Sequence, residues 1–269
     1  MKSLNNYKPS NILVTGGAGF IGLNFLEKFS KKKNIKFTVI DSLTYASSKK
    51  KLLELKKKYN FSFHKLDINQ RNQIKKILNE HKIDTIINFA AESHVDRSIY
   101  GAKKFIDSNI LGTFNLIDVA KNYWQSKFNL NSNKCRFHQI STDEVFGSLK
   151  SNKKKFKETN KYSPNSPYSA SKASADLLIN SYINTYQFPA TISYCSNNYG
   201  KYQNNEKLIP TIIKSLSEKK NIPVYGNGSN VRDWIHVEDH CDAVFDIIKK
   251  GKVGNFYCIG ANSEYSNIN

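Results

Sequence analysis

The chain has 269 residues and a formal net charge of +19 at pH 7, from 41 lysine and arginine residues against 22 aspartate and glutamate residues. This length suffices for a full hydrophobic core, and no apolar run approaches the ~20 residues needed to span a bilayer. The N-terminus has no continuous apolar segment of the secretory type, so we expect a cytoplasmic protein with no membrane partner.

The high positive charge invites a nucleic-acid interpretation, but the residue types do not favour it. Only four of the 41 basic residues are arginine, whereas proteins that read bases and phosphates depend on arginine forks. The lysines form short, scattered runs of the kind found on solvated helix faces and loops. We therefore expect no nucleic-acid partner, although the charge would attract an anionic substrate.

Short apolar runs alternate with longer amphipathic segments along the first two thirds of the chain. The apolar runs predict six strands, at 11–15, 36–40, 61–65, 85–89, 136–140 and 191–194. The segments between them predict helices near 20–30, 49–58, 70–81, 98–124 and 168–187. Such alternation is typical of parallel strands joined by right-handed crossovers, so we expect an α/β fold with a Rossmann-type doubly wound parallel sheet.

The alternation breaks after about residue 195. Pro210, Pro223 and a turn at 226–230 punctuate shorter elements. We expect residues 1–195 to form the Rossmann domain with the catalytic residues. Residues 196–269 are then mostly a smaller substrate-binding lobe, interleaved with the end of the sheet. The lysine- and asparagine-rich stretch 148–161 predicts a surface loop.

A glycine-rich segment, TGGAGFIG at 15–22, leaves the first strand and opens the first helix. Gly16, Gly19 and Gly22 permit a tight turn and a close approach of the backbone to a pyrophosphate, which the helix N-terminus attracts. Asp41 closes the second strand 19 residues further on, where a carboxylate binds ribose hydroxyls and repels a 2′-phosphate. The pattern favours NAD over NADP; an isolated Asp41 would equally suit a turn before Ser42.

A second constellation lies at the start of the predicted helix 168–187. Tyr168 and Lys172 are four residues apart, so they share a helix face, where an ammonium lowers the pKa of a phenol and favours a phenolate base. This spacing is common in structural helix pairs as well. Thr142 raises its significance, because it ends the fifth strand at the edge where open α/β sheets bind ligands.

These features resemble the extended short-chain dehydrogenase/reductase superfamily and, within it, the dTDP-glucose 4,6-dehydratase family. The similarity runs from about residue 10 to the end of the chain, in family order and spacing. Six segments carry it: Asn88–Ser98, Ser141–Gly147, Pro167–Asp176, Cys195–Gly200, Glu206–Pro210 and Pro223–Trp234. The resemblance implies an NAD-dependent hydro-lyase that converts dTDP-glucose to dTDP-4-keto-6-deoxyglucose and water.

The resemblance also implies catalytic roles. A sugar-nucleotide epimerase needs only the tyrosine, the lysine and NAD, but a 4,6-dehydratase needs one further acid and one further base. Asp143 and Glu144 supply two carboxyls. The family assigns the first as the acid at O6 and the second as the base at C5. The implied catalytic residues are Thr142, Asp143, Glu144, Tyr168 and Lys172.

Binding residues carry over where the sequence matches the family motifs. For NAD they are Gly16, Gly19, Phe20, Ile21, Gly22, Asp41, Ser42, Leu43, Thr44, Asp67, Ile68, Phe89, Ala90, Ala91, Glu92, Ser93, Ser108, Tyr168, Lys172 and Asn198. For the nucleotide sugar they are Ser93, Thr142, Asn197, Lys207, Leu208, Pro223, Val224, Tyr225, Arg232 and Asn267. Lys207 and Arg232 suit a diphosphate because both are cations in otherwise apolar segments.

The chain departs from the family pattern at several positions. Phe146 stands where a tyrosine is usual, Tyr194 where an arginine is common, and Lys201 where a proline is usual. The segment Tyr45–Ser48 replaces a Gly-Asn loop ending. Family members also continue past the position of Asn269 with further nucleotide-binding residues. If the natural chain ends at Asn269, the substrate-binding lobe is truncated and we expect weaker substrate affinity.

The cysteines and histidines do not predict a metal site. The cysteines are widely spaced with no C-x-x-C pair, so we expect free thiols, with Cys195 and Cys258 buried in or beside strands. His236 and His240 have helix-face spacing next to Cys241. Their segment matches a structural segment of the family, however, and the implied chemistry needs no metal.

The sequence leaves three alternatives open. The chain could act on another nucleotide sugar, such as UDP-glucose, or it could epimerise or decarboxylate one. It could also be a catalytically silent fragment that binds NAD or a nucleotide sugar. The Asp143–Glu144 pair argues against simple epimerisation. The family further implies a homodimer and a role in making deoxysugars such as dTDP-rhamnose.

Overall fold

The computed structural model describes residues 6–149, 155–224 and 227–268. Strands within these ranges are Asn11–Thr15 (β1), Lys36–Asp41 (β2), Ser62–Lys65 (β3), Thr85–Asn88 (β4), Arg136–Thr142 (β5), Ala190–Cys195 (β6), Asn197–Tyr199 (β7), Val231–His236 (β8), Phe256–Ile259 (β9) and Glu264–Ser266 (β10). The α-helices are Phe20–Phe29 (α1), Lys49–Lys58 (α2), Arg71–Glu80 (α3), Val95–Tyr100 (α4), Lys103–Phe105 (α5), Gly112–Phe128 (α6), Pro167–Tyr186 (α7), Leu208–Ser217 (α8) and Val237–Lys250 (α9). A π-helical turn occupies Ile106–Leu111, and a 3-10 turn occupies Asp143–Phe146.

Seven strands form one parallel sheet in the order β3-β2-β1-β4-β5-β6-β9. The order reverses at β1 and β4, which gives a doubly wound sheet and confirms the predicted Rossmann-type class. A smaller sheet pairs β8 with β7 in parallel and with β10 in antiparallel fashion. The last strand of the large sheet, β9, therefore follows strands of the small one.

Hydrophobic clusters cover both faces of the large sheet, which explains the continuous apolar runs of its strands. On one face, Leu13 packs with residues of α3, α6 and α7, including Trp124, whose indole N–H donates to the carbonyl oxygen of Ile83 at 2.9 Å. On the other face, Val14 packs with residues of α1, α2 and α9. Leu13 and Val14 are both fully buried.

The predicted strands agree with the observed ones to within two residues, but the single helix expected at 98–124 is wrong. The chain breaks at Gly101, between α4 and α5, and then makes the π-helical turn before α6. The extra residue of a π-helical turn changes the direction of a side chain. Asn109, in this turn, accepts from the Glu92 amide and donates to the Ser171 hydroxyl, both at 2.8 Å.

Two further sequence expectations concern cysteines and membranes. All four cysteines are free, and Cys195 is buried as expected. Cys258 is exposed, contrary to expectation, because it lies on β9 at the edge of the sheet, where one side has no strand neighbour in the described chain. Across the described ranges, no helix is both long and apolar enough to cross a membrane.

Candidate active site

A cavity of about 400 Å³ opens at the carboxyl ends of the central strands, where the strand order reverses. Its walls come from the glycine turn, from the segments after β4, β5 and β6, from residues 203–208, from β8 and from Asn267. The predicted site residues that line it are Gly16, Gly19, Phe20, Ile21, Gly22, Phe89, Ala91, Ser93, Thr142, Glu144, Tyr168, Lys172, Asn197, Asn198, Lys207, Leu208, Arg232 and Asn267.

Other predicted residues lie outside this lining. They are Asp41, Ser42, Leu43, Thr44, Asp67, Ile68, Ala90, Glu92, Ser108, Asp143, Pro223 and Val224. Of these, Asp41 ends β2, and the next five follow β2 or β3 at the same edge of the sheet. Pro223 lines an adjoining cavity of about 540 Å³, together with Lys207 and Asn267. Tyr225 lies outside the described residues.

The glycine turn is tight enough that side chains are excluded from it. A Cβ atom on Gly16, which has a φ of 65°, would lie 2.6 Å from the Ala90 nitrogen, and one on Gly22 would lie 2.4 Å from the Gly16 oxygen. Helix α1 starts directly after Gly19, which provides no side-chain cap. The amide groups of the first helical turn therefore face the cavity edge as donors for an anion, which fits a dinucleotide pyrophosphate.

Asp41 is fixed at the end of β2 by three hydrogen bonds. Its Oδ2 accepts from the Ala18 amide at 2.9 Å, and its Oδ1 accepts from the Leu43 amide and the Ser47 hydroxyl, both at 2.7 Å. A carboxylate has about four lone-pair sites, so Oδ2 retains capacity for a ribose hydroxyl. These bonds tie the carboxylate to the glycine turn, as a dinucleotide site requires.

Tyr168 and Lys172 occupy the first turns of α7. The helix begins with a capping box, in which the Ser166 hydroxyl accepts from the Ser169 amide, followed by Pro167. The hydroxyl of Thr142, at the end of β5, lowers the pKa of Tyr168 and so favours the phenolate. The predicted tyrosine, lysine and threonine thus meet in one cavity.

The charge balance around Tyr168 differs from the expectation. Burial, together with the nearby Glu144 carboxylate, raises the pKa of Tyr168 above its ordinary value. In the unliganded protein, the Lys172 ammonium therefore does not lower the pKa of Tyr168 below that value. Lys172 is itself buried, and burial lowers the pKa of its ammonium. That ammonium donates to the carbonyl oxygen of Ile140 at 2.7 Å. A phenolate therefore needs further positive charge from a ligand.

The two adjacent carboxyls after Thr142 have different environments. Burial and the charge of Glu144 raise the pKa of Asp143 to about 7. Burial also raises the pKa of Glu144, but the cations Arg232 and Lys207 oppose this rise. Carboxyls whose surroundings separate their pKa values suit an acid and a base. Asp143 is thus the better proton donor, and Glu144 the better acceptor.

Asn198 is oriented by a buried histidine. Its Oδ1 lies 2.8 Å from Nδ1 of His240, and its Nδ2 donates to the Ser196 carbonyl oxygen at 3.0 Å. Burial lowers the pKa of His240 to about 4, so this imidazole is neutral at pH 7. His236 accepts from the Glu238 amide at the start of α9. Both histidines of the H-x-x-x-H pattern therefore have structural partners.

The departures from the family pattern have local explanations. Tyr194 is buried, its hydroxyl lies 2.6 Å from that of Tyr162, and the Phe146 ring packs on it at 4.7 Å between centroids. The Lys201 ammonium donates to the carboxylate of Glu27, on α1, at 2.7 Å. Tyr45 lies under the Arg97 guanidinium at 3.7 Å and lines the cavity.

Twelve residues that line the cavity were not predicted from the sequence: Tyr45, Ala46, His94, Val95, Ile140, Ser141, Cys195, Ser196, Gln203, Asn204, Glu206 and Trp234. The buried thiol of Cys195 has a pKa raised to about 12. Asp176, also missed, does not line the cavity but is completely buried on α7, four residues after Lys172. Its position four residues after Lys172 was a usable signal, because that spacing keeps Tyr168, Lys172 and Asp176 on one face.

Comparisons with known proteins identify relatives over nearly the whole chain. The GDP-mannose 4,6 dehydratase family model matches residues 13–268. A dTDP-glucose 4,6-dehydratase from Neisseria meningitidis is 44% identical over 257 residues, covering 96% of this chain and 72% of the relative.

Two solved dTDP-glucose 4,6-dehydratases have the same fold over 96% of the chain. The Bacillus anthracis enzyme, in complex with NAD, is 42% identical with a TM-score of 0.86, and 77% of it is covered. The Streptomyces venezuelae enzyme, with NAD and TYD bound, is 38% identical with a TM-score of 0.87, and 78% of it is covered.

Proposed function

Because the chain belongs to the dTDP-glucose 4,6-dehydratase family, we propose that it converts dTDP-glucose to dTDP-4-keto-6-deoxyglucose and water, with NAD tightly bound. The observation that carries the proposal is the unlike pair Asp143 and Glu144 beside the Tyr168 hydroxyl. Oxidation at a single carbon needs no such pair, whereas loss of water needs both an acid and a base.

The cofactor site fits NAD in its donors and its charge. The glycine turn and the first turn of α1 would hold the pyrophosphate, and Asp41 would accept from the adenosine ribose. NAD, when bound, supplies the hydride acceptor for C4 and the hydride donor for C6, and its oxidised nicotinamide adds positive charge to the site. That charge offsets the burial that raises the pKa of Tyr168.

Tyr168 begins the reaction as a general base. It removes the proton of the 4-hydroxyl as the C4–H bond releases its hydride, and Thr142 stabilises the phenolate by hydrogen bonding. The Lys172 ammonium, held by the Ile140 carbonyl, faces the same cavity with its remaining N–H groups. The product of this step is a 4-keto sugar, whose C5 proton is acidified by the adjacent carbonyl.

Glu144 and Asp143 then act as a pair. Glu144 takes the C5 proton, and the C6–O bond breaks as Asp143 transfers its proton to the departing hydroxyl, which leaves as water. Return of the hydride to C6 and of a proton to C5 completes the reaction. Lys207 and Arg232, whose charges oppose the rise in the pKa of Glu144, would also bind the diphosphate of the substrate.

Mass spectrometry of reactions with dTDP-glucose and with UDP-glucose tests the proposal. We expect loss of one water from dTDP-glucose and slower loss from UDP-glucose. Faster loss from UDP-glucose would reassign the nucleotide. Protein that retains NAD but removes water from neither sugar would be a silent binding protein, and the proposed function would be wrong. A C4 epimer without water loss would show an epimerase.

We also propose that the protein is a homodimer. Large apolar side chains are exposed on the connected surface of α4, the π-helical turn, α6 and α7, at Ile99, Tyr100, Ile106, Leu111, Phe114 and Leu177. Tyr100 and Ile99 retain 92% and 65% of their exposure, which is typical of residues buried by a partner. Light scattering tests the proposed dimer. Leu177→Arg should give monomers if this surface is the interface, and a monomeric wild-type protein would refute the dimer.

We also propose a cellular location and a metabolic role for the protein. Four free cysteines are consistent with a reducing compartment, so we place the protein in the cytoplasm. The 4-keto-6-deoxy product would supply deoxysugar synthesis, such as that of dTDP-rhamnose. Fractionation of the source cells and nucleotide-sugar profiling after loss of the protein test these two points.

A further inference from the structure

Helix α7 presents three ionisable residues at four-residue intervals, Tyr168, Lys172 and Asp176. The proposed reaction uses the first two and assigns nothing to the third. Asp176 is 0% exposed, and Lys172 is 4% exposed. A carboxyl removed so completely from water destabilises a protein unless other groups compensate its charge, so its position needs an explanation.

The contacts of Asp176 connect it to the strand that carries the catalytic threonine. Its Oδ2 accepts a short hydrogen bond from the hydroxyl of Ser141, which directly precedes Thr142 on β5. Its Oδ1 has no hydrogen-bond partner among the described residues. Lys172 lies four residues earlier on α7, and its ammonium donates to Ile140, the neighbour of Ser141 on β5. The charge of Lys172 favours the charged form of the Asp176 carboxyl.

The charge of Lys172 also depends on its interaction with Asp176. Its ammonium has one protein acceptor in the described chain, the carbonyl oxygen of Ile140, and burial disfavours its charge. The carboxylate of Asp176 is the strongest influence that opposes this loss of charge. Cys195 acts in the same direction, but burial raises the pKa of its thiol to about 12, so it carries no charge near neutral pH.

The other titratable groups around this pair do not substitute for Asp176. Tyr162, before α7, and Tyr194, on β6, both face the carboxylate, and burial and its charge raise the pKa of each phenol. Both phenols are therefore neutral through the alkaline range. Glu144 and Asp143 act on Tyr168, which lies eight residues nearer the start of the helix, and the charges of Arg232 and Lys207 act on Glu144.

We propose that Asp176 is a positioning residue that keeps Lys172 protonated, so that an ammonium and not a neutral amine stands beside Tyr168 above pH 7. The kinetic consequence rests on the proposed function, but the charge of Lys172 is measurable without turnover. A neutral amine would not stabilise the phenolate, and the first step would slow. Ser141 fixes the carboxylate in place and links it to β5.

The structure also gives the pH range of the effect. Burial raises the pKa of Asp176 to about 7, so the carboxyl takes up a proton below that pH and its charge is lost. In acid, Lys172 is protonated whether or not Asp176 is charged. The influence of Asp176 is therefore confined to pH values above about 7. A purely structural role would have no such pH dependence.

The test compares Asp176→Asn with Ser141→Ala in the NAD-bound protein. Asparagine keeps the shape and can still accept from Ser141, whereas Ser141→Ala removes that hydrogen bond and keeps the carboxylate. Carbon-13 NMR of labelled lysine side chains, with Lys172→Gln for assignment, reports the titration of Lys172. We expect Lys172 to lose its proton at a lower pH in Asp176→Asn than in the wild type or in Ser141→Ala, which keeps the carboxylate.

Pre-steady-state NADH formation from dTDP-glucose gives the second readout. In Asp176→Asn we expect a rate within about twofold of wild type at pH 6.5 and about tenfold lower at pH 9, the factor for one pKa unit. Equal losses at both pH values, or an unchanged Lys172 titration, would overturn the proposal.

The wild-type protein provides a safeguard if Asp176→Asn does not fold. The Lys172 side-chain signals of the wild type should then change as Asp176 titrates near pH 7, and signals that stay constant through that range would overturn the inference. If the wild type fails to oxidise dTDP-glucose while the NMR titrations behave as expected, only the proposed function is wrong.

Discussion

Replacing Glu144 with glutamine should separate the two halves of the reaction. The substitution keeps the size of the side chain but removes the base that takes the C5 proton. General base catalysis contributes about 10²–10⁴-fold, or about 3–5 kcal/mol of the activation free energy. We expect a loss within this range in the rate of dehydration. Removal of the Glu144 charge also lowers the pKa of Asp143, because that charge, with burial, raises it to about 7.

The same substitution should help the first step. The charge of Glu144 raises the pKa of Tyr168, so its removal favours the phenolate and shifts C4 oxidation to lower pH. Stopped-flow absorbance at 340 nm should show NADH that accumulates, while mass spectrometry shows little loss of water. Glu238→Gln, at an exposed position on α9, is the matched control and should behave as the wild type. Water loss at the wild-type rate in Glu144→Gln would refute its role as the base.

Three further predictions concern the oxidation step, the acid and the cofactor. Tyr168→Phe should abolish NADH formation in a single turnover while NAD stays bound; normal NADH formation would show that another base acts. Dehydration should slow as pH rises through about 7, where Asp143 loses its proton, and a rate that climbs steadily to pH 9 would exclude it as the acid. Gly22→Ala should purify with far less NAD by chromatography, because its Cβ would lie 2.4 Å from a backbone oxygen. Gly101→Ala is its control, with 3.8 Å of clearance, and equal NAD in both variants would contradict the tight-turn explanation.

The layered fold was predictable because its signals are local. The run Asn11–Thr15 and the glycines that follow fix a strand, a turn and a helix within one short stretch, and the structure reproduces them. The π-helical turn at Ile106–Leu111 was not predictable in this way. It depends on Asn109 reaching Glu92 and Ser171, which are distant in sequence and become neighbours only after folding.

The site likewise has features that were predictable from local sequence and others that depend on folding. The sequence places Thr142, Asp143 and Glu144 at a strand end, so their proximity to the glycine turn follows from the topology of a parallel sheet. Which carboxyl holds a proton depends on Arg232 and Lys207, which come from the smaller lobe. Spacing alone also suggests that the ammonium lowers the pKa of Tyr168. Burial, which no short motif encodes, reverses that direction in the unliganded protein.

The return of β9 to the large sheet has a mechanical consequence. The chain leaves this sheet for the lobe after β6 and again after β9, and the two exits lie side by side, with the Ser196 amide donating to the Ile259 carbonyl oxygen at 3.0 Å. Because β8 also leads directly into α9, the segment between β6 and β9 is joined to the large sheet at a third point. Ile235 of β8 lies in the same buried cluster as Val14 of β1. Three attachments hold Arg232 of β8 at a set distance from Thr142 at the end of β5, so a ligand that bridges the two must match that distance.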